Sequence, residues 1–261
     1  MEEALAGAQG VRTTPAGPSV TVVPDAPALA SLLAERFVAL ARAAVRERGA
    51  FRVALAGGTT PAQAYRLVAD QDLPWSQVHV FWGDERPVPP DHPDSNYRMA
   101  EEALLRRVPL PDGNVHRMAG EAQDLEAAAA EYAVDLAHAF GIPMAEDPPR
   151  FDLVLLGMGA EGHTASLFPD SPVLESHAWV AAPFVPQLGM RRLTLTPWVL
   201  NAARAVIFGV GGESKAAALR AVLGSPRQPA RYPAQAVAPR VGTLEWVLEA
   251  PLARAAGVGS A

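Results

Sequence analysis

The sequence predicts an α/β fold: a modified doubly wound, Rossmann-like and mainly parallel sheet, with helices on both faces and no dinucleotide bound. Three observations lead there. Short apolar segments alternate with helical segments of about 10 to 20 residues, the order in which parallel βαβ units are built. Several short segments, FRVAL, VHVFW and FDLVLL among them, are nearly continuous apolar runs, as suits strands covered on both faces. No internal repeat or rich linker splits the chain, so residues 19–261 are expected to form one domain behind a flexible tail at 1–18.

The elements follow in order. SVTVVP, from Ser19, reads as a strand stopped by Pro24. Asp25 is placed to cap a helix over 26–48, where Leu29, Leu32, Leu33, Phe37 and Leu40 recur at helical spacing. FRVALAGG is a strand running into two glycines, followed by a helix from Pro61 to about Val68 with Thr59 or Thr60 as its cap. VHVFWGDER is a strand ending in charges, before a proline-rich loop and a helix over 95–107. A helix over 121–140 leads through IPMAEDPPR into the strand FDLVLLGMG. Strands are expected at 178–183, 191–196 and 204–210, a helix over 213–223, and a final short strand at 234–238 before the tail.

Composition narrows the function classes. A chain of 261 residues with 49% hydrophobic and 19% charged residues is not disordered as a whole. Its 22 basic and 28 acidic residues give a net charge of −6, with no basic footprint for nucleic acid. The absence of cysteine removes disulfides and thiol chemistry. No apolar run reaches the ~18 residues of a membrane span, and MEEALAGAQG has neither the positive start nor the apolar core of a signal peptide. A cytoplasmic protein with no membrane partner is expected; the oligomeric state is not legible. Of the 22 basic residues, 21 are arginine and one is lysine, Lys215. Either chance leaves one lysine, or that position needs a compact ammonium that a planar guanidinium does not imitate.

In an open parallel sheet, ligands bind beyond the carboxyl ends of strands, and four such ends carry glycines or charges. At Gly57-Gly58-Thr59-Thr60-Pro61, bare amides at a helix start suit an anion such as phosphate. At Gly83-Asp84-Glu85-Arg86, followed by Asp94-Ser95-Asn96-Tyr97, Arg86 is suited to a two-pronged contact with phosphate or carboxylate. Gly157-Met158-Gly159-Ala160-Glu161-Gly162-His163 contains a literal GxGxxG, but Pro169 and Pro172 leave no room for the crossover helix of a dinucleotide site. His163 there is a candidate general base. The fourth end, Gly211-Gly212-Glu213-Ser214-Lys215, sets the lone lysine at a helix start. GxSxG, HExxH and Walker A motifs are absent, and Glu161 with His163 has no further ligand nearby in sequence, so no metal is expected.

LAGGTTP, FWGDERPVPPDHPDSNY, LLGMGAEGHTASLFP and GVGGESK together resemble the 6-phosphogluconolactonase family, over about residues 19–250. The wider group includes glucosamine-6-phosphate deaminases. Those typically carry Asn-Glu-Pro where this chain has Ser166-Leu167-Phe168-Pro169, and tyrosine where it has Arg86. Lactonases commonly have aspartate two residues before the histidine; Glu161 here is one methylene longer with the same charge. The resemblance implies hydrolysis of 6-phospho-D-glucono-1,5-lactone without cofactor, with His163 activating water and Glu161 either orienting His163 or shaping the loop. It further implies that amides of the glycine-rich strand ends hold the oxyanion and that Gly159 contacts the substrate. Lys215 and Arg86 with Gly57, Gly58 and Thr59 would grip the phosphate, and Asp84 and Asn96 would line the sugar site. The alternatives are a deaminase or isomerase acting on an amino-sugar phosphate, and a non-catalytic sugar-phosphate sensor. A sensor of that kind needs a basic helix-turn-helix module, for which residues 1–18, with Arg12 alone, are too short.

Overall fold

The computed structural model describes residues 17–258 apart from 145, 146 and 225, so residues 1–16 of the expected tail lie outside it. The first half contains β1 (Ser19–Val23), α1 (Ala26–Arg48), β2 (Phe51–Leu55), α2 (Thr59–Ala69), β3 (Val78–Trp82), the short β4 (Asp84–Glu85), α3 (Asn96–Ala103) and α4 (Leu125–Phe140). The second half contains β5 (Leu153–Leu156), β6 (Val180–Ala181), β7 (Phe184–Val185), β8 (Met190–Arg191), β9 (Leu193–Leu195), α5 (Pro197–Leu200), β10 (Ala205–Val210), α6 (Ala216–Leu223), β11 (Thr243–Glu249) and α7 (Ala250–Ala256).

Six strands form one parallel sheet in the order β1-β11-β10-β5-β2-β3. From β2 the chain moves outward to β3; from β5 it moves the other way, to β10 and β11. Strand order therefore reverses between β2 and β5, the place where such sheets bind ligands. Alternate residues feed opposite cores because strand side chains alternate in direction. Val53, Leu155, Ile207 and Val247 pack with α1, α2 and α3. Val154, Leu156, Phe208 and Trp246 pack with α4, α6 and α7 on the other face. A Cβ on Gly209 would come 2.6 Å from a methyl of Leu33, so glycine at that position lets α1 lie directly on β10.

Several expected elements differ: the helix over 95–107 ends at Ala103 and the strand over 191–196 is split between β8 and β9. The helix placed over 121–140 begins at Leu125, because the Asp124 side chain accepts from the amides of Glu126 and Ala127, both at 3.0 Å, and caps it there. The strand over 178–183 is reduced to the two residues of β6, which join β4 and β9 in a small antiparallel sheet. The strand placed at 234–238 is instead a 3-10 turn, Pro233–Ala236. Pro233 has no N–H for a ladder, and Gln235 turns inward, donating to the carbonyls of Ala221 and Val222. The last strand of the sheet is β11, in the stretch read as tail. Its glutamates mask the apolar run, yet Glu245 is taken up by Arg36 at 3.0 Å and Thr21 at 3.0 Å.

Candidate functional site

The carboxyl ends of β10, β5, β2 and β3 stand side by side and open into one cavity of about 320 Å³. Gly57, Gly58, Thr59, Asp84, Arg86, Asn96, Gly159, His163 and Lys215 all line it. Of the residues singled out from the sequence, Glu161 alone stands beside the cavity rather than on its wall.

At the β2 end, Gly58 holds φ +108° and is itself the cap residue of α2, with no side-chain cap. Thr59 and Thr60 are therefore inside the helix, and neither caps it as expected. The first turn of a helix leaves its amides free, where they attract an anion; Pro61, third in the helix, has none to offer. Gly57 is required by a neighbour: a Cβ there would fall 1.9 Å from Oδ1 of Asn96. Asn96 in turn donates to the Asp84 carbonyl at 2.9 Å and its carboxylate at 3.3 Å.

At the β3 end, the three charges divide their work. Glu85 is 2% exposed and is no solvated charge. Its Oε1 accepts from the amides of Arg86 and Asn96 at 2.8 Å each, and Oε2 from the Tyr97 amide at 2.8 Å and the Ser95 hydroxyl at 3.1 Å. Burial pushes its carboxyl upward in pKa, while the amides of Arg86, Asn96 and Tyr97 pull it back. The effect is to clip the start of α3 to β4. Arg86 donates one terminal N–H to the Asp94 carbonyl and lines the cavity.

The loop after β5 is tightly closed. The Gly159 amide donates to the His163 carbonyl at 2.9 Å, the Gly162 amide to the Gly159 carbonyl at 3.0 Å, and the Thr164 hydroxyl to Gly157 at 2.8 Å. His163 stacks on Phe168, with ring centroids 4.4 Å apart. A Cβ on Gly159 would lie 2.1 Å from His163 Nδ1, so the imidazole rests on the bare glycine. Glu161 Oε1 is 3.0 Å from Nδ1. No hydrogen bond joins them, however, and buried Nδ1 has no hydrogen-bond partner. Ala165 holds φ +47°, unusual for a residue with a side chain. Ser166 follows it and locks the turn, with its hydroxyl donating to Asp84 Oδ2 at 2.7 Å and its amide to Thr194 Oγ1 at 3.3 Å.

At the β10 end, a 3-10 turn over Glu213–Lys215 brings the lysine to the start of α6. Burial lowers the Lys215 pKa, and the charge of Glu249 partly restores it. The glycine pair is not a free anion cradle: Gly212 donates its amide to Glu249 Oε2 at 3.1 Å, and Gly211 leaves room for the same carboxylate.

Two residues of the candidate site escaped the sequence reading. Glu249 ends β11, the strand that was missed. Arg192 precedes β9 and lines the cavity. Burial first, and Arg86 second, lower its pKa, and its buried Nε has no hydrogen-bond partner. Arg192 is one of an ordinary Arg-Arg pair in sequence; only β9 pairing with β4 sets it opposite Arg86.

Comparison with known proteins adds a family to this geometry. The sequence profile described as "Glucosamine-6-phosphate isomerases/6-phosphogluconolactonase" matches residues 24–246. A 6-phosphogluconolactonase of Synechocystis sp. is 45% identical over 206 residues, covering 79% of this chain and 85% of that one. One from Mycobacterium tuberculosis is 40% identical over 239 residues, covering 88% and 95%. Among solved structures, 6-phosphogluconolactonase from Thermotoga maritima superposes with TM-score 0.77 at 29% identity, covering 89% of this chain and 99% of that one. A monomeric glucosamine-6-phosphate deaminase shares the fold, with TM-score 0.76 at 19% identity, covering 91% and 99%.

Proposed function

The chain belongs to the glucosamine-6-phosphate isomerase/6-phosphogluconolactonase family, and on that premise we propose that it hydrolyses 6-phospho-D-glucono-1,5-lactone to 6-phosphogluconate. The observation that carries this reading is the seat of His163: an imidazole on a glycine ledge at the centre of the strand-end row, with cations to either side. Its Nδ1 is buried beside Glu161, which leaves Nε2 for the substrate. Glu161 sets its carboxylate against the Nδ1 edge of the ring.

In the proposed reaction, Nε2 takes a proton from water as the water oxygen bonds to C1. The carbonyl becomes an oxyanion. Its collapse breaks the bond from C1 to the ring oxygen, and His163 returns the proton to that oxygen. The acid released ionises to a carboxylate. No cofactor enters. The first amides of α2 receive the 6-phosphate, with Lys215 reaching in from the β10 side and Arg86 from the β3 side. Asp84, held by Ser166 and Asn96, accepts from sugar hydroxyls. Binding the remote phosphate orients the ring, and that binding energy is usable at C1.

The test is hydrolysis of freshly made lactone, coupled to NADP reduction through 6-phosphogluconate dehydrogenase, with spontaneous opening subtracted. His163→Ala is expected to lower kcat by about 10²–10⁴ with KM nearly unchanged. No excess over the spontaneous rate from folded wild-type protein would overturn the reading. Among the described residues no helix is long and apolar enough to cross a membrane; we infer that the enzyme works in the cytoplasm.

A further inference from the structure

An oxyanion at C1 needs a donor, and the glycine amides best placed by sequence are already committed. Gly159 donates to His163 at 2.9 Å, Gly162 to Gly159 at 3.0 Å and Gly212 to Glu249 at 3.1 Å. Ser166, on the same loop as His163, gives its amide to Thr194. Arg192, by contrast, has a buried Nε with no partner, on a side chain that lines the cavity.

The direction of that side chain follows from its segment. Arg192 and Thr194 are two residues apart in an extended stretch, so their side chains leave on the same face. Thr194 Oγ1 meets the Ser166 amide at 3.3 Å, three residues from His163. Arg192 therefore projects toward the loop that carries the base. Lys215 stands at the other end of the strand row, beyond β5. We infer that Arg192 is the electrophilic catalytic residue: its guanidinium, on the cavity wall, receives the lactone carbonyl oxygen as it becomes the oxyanion. This rests on the lactonase reading and deepens it.

The chemistry favours this role over a second phosphate grip. The half-buried guanidinium has Arg86 beside it and Asp84, Glu85 and Asp94 within range, but its Nε has no hydrogen-bond partner. A neutral lactone carbonyl gains little from such a cation, and an oxyanion gains more. The interaction is then stronger in the transition state than in the ground state, the condition for raising kcat rather than lowering KM. The electron pair displaced from the carbonyl bond is held there until the ring C–O bond breaks, and no further reactant is needed.

Two acyclic probes that differ only at C1 separate the roles. 6-Phosphogluconate carries a carboxylate there, standing in for the oxyanion; sorbitol 6-phosphate carries a hydroxymethyl group. By calorimetry, Arg192→Ala is expected to bind 6-phosphogluconate about ten- to a hundredfold more weakly and sorbitol 6-phosphate within about twofold of wild type. Lys215→Ala should weaken both alike. In turnover, Arg192→Ala should lose about 10²–10³ in kcat with a far smaller change in KM. Arg192→Lys keeps the charge without the planar fork and should recover part of the carboxylate affinity but little of kcat. Equal weakening of both probes in Arg192→Ala, or an unchanged kcat, overturns the assignment while leaving the lactonase reading intact. Wild-type protein that does not accelerate lactone opening overturns both.

Discussion

Gly159→Ala tests whether the position of His163 matters as much as its identity. The glycine is not in the left-handed region, so alanine costs nothing in backbone strain. Its methyl, however, would arrive 2.1 Å from Nδ1 and 2.2 Å from Cε1 of His163, and 2.9 Å from Glu161 Oε2. Ordinary contact begins near 3.4 Å, so the imidazole must retreat by 3.4 − 2.1, about 1.3 Å. A misplacement of about 1 Å at a reacting group is worth on the order of 10² in rate. Complete loss of a general base costs about 10²–10⁴, which sets the ceiling. The expected result is a folded protein whose kcat falls by about two decades and whose KM moves little, because the groups proposed to hold the phosphate lie on other strands. The coupled assay with spontaneous opening subtracted reads kcat, and a melting curve confirms folding. A folded variant with kcat within about threefold of wild type would refute the reasoning, since it would show that the imidazole moves freely or is not the base.

Other outcomes follow from the same geometry. Lys215→Ala is expected chiefly to raise KM for the phosphorylated lactone, and Lys215→Arg to restore it only in part, because the turn after Gly212 holds a compact ammonium; full rescue by arginine would make the lone lysine an accident of composition. Glu85→Gln keeps the shape of a buried acceptor for four donors but turns an NH₂ toward either the Tyr97 amide or those of Arg86 and Asn96. Urea unfolding should show a loss of about 1–3 kcal/mol. His79 is held neutral, its pKa lowered by burial and by the nearby His116 and Arg52 charges. Its contribution to stability is therefore complete above the unfolded value of about 6.5 and is lost as pH falls through the depressed folded value. Melting temperatures taken between pH 7 and pH 5 should fall less steeply in His79→Asn, which does not titrate in that range; equal slopes would refute the assignment.

Most of the fold was legible because its signals are local. β1, α1, β2, β3 and β10 lie where apolar runs, Pro24, Asp25 and the glycine pairs put them, and strand–helix alternation carries the parallel sheet with it. The site was legible for the same reason: glycines, a lone lysine and a histidine at strand ends are visible without knowing which strands are neighbours. Errors fell where a partner distant in sequence decides. The 234–238 segment has strand-like residues, but Gln235 finds its acceptors on α6 and the chain turns there. β11 hides its apolar run among glutamates whose partners, Arg36 and Gly212, lie about 209 and 37 residues away. Propensity and periodicity along the chain set which chemical groups stand at the strand ends and which class of fold displays them. Folding alone commits the Gly159, Gly162 and Gly212 amides and brings Arg192 to the cavity wall with a buried, unpartnered Nε. Hydrogen-bond partners and the burial of a charge depend on which segments meet in space, and nothing in a linear spacing specifies that.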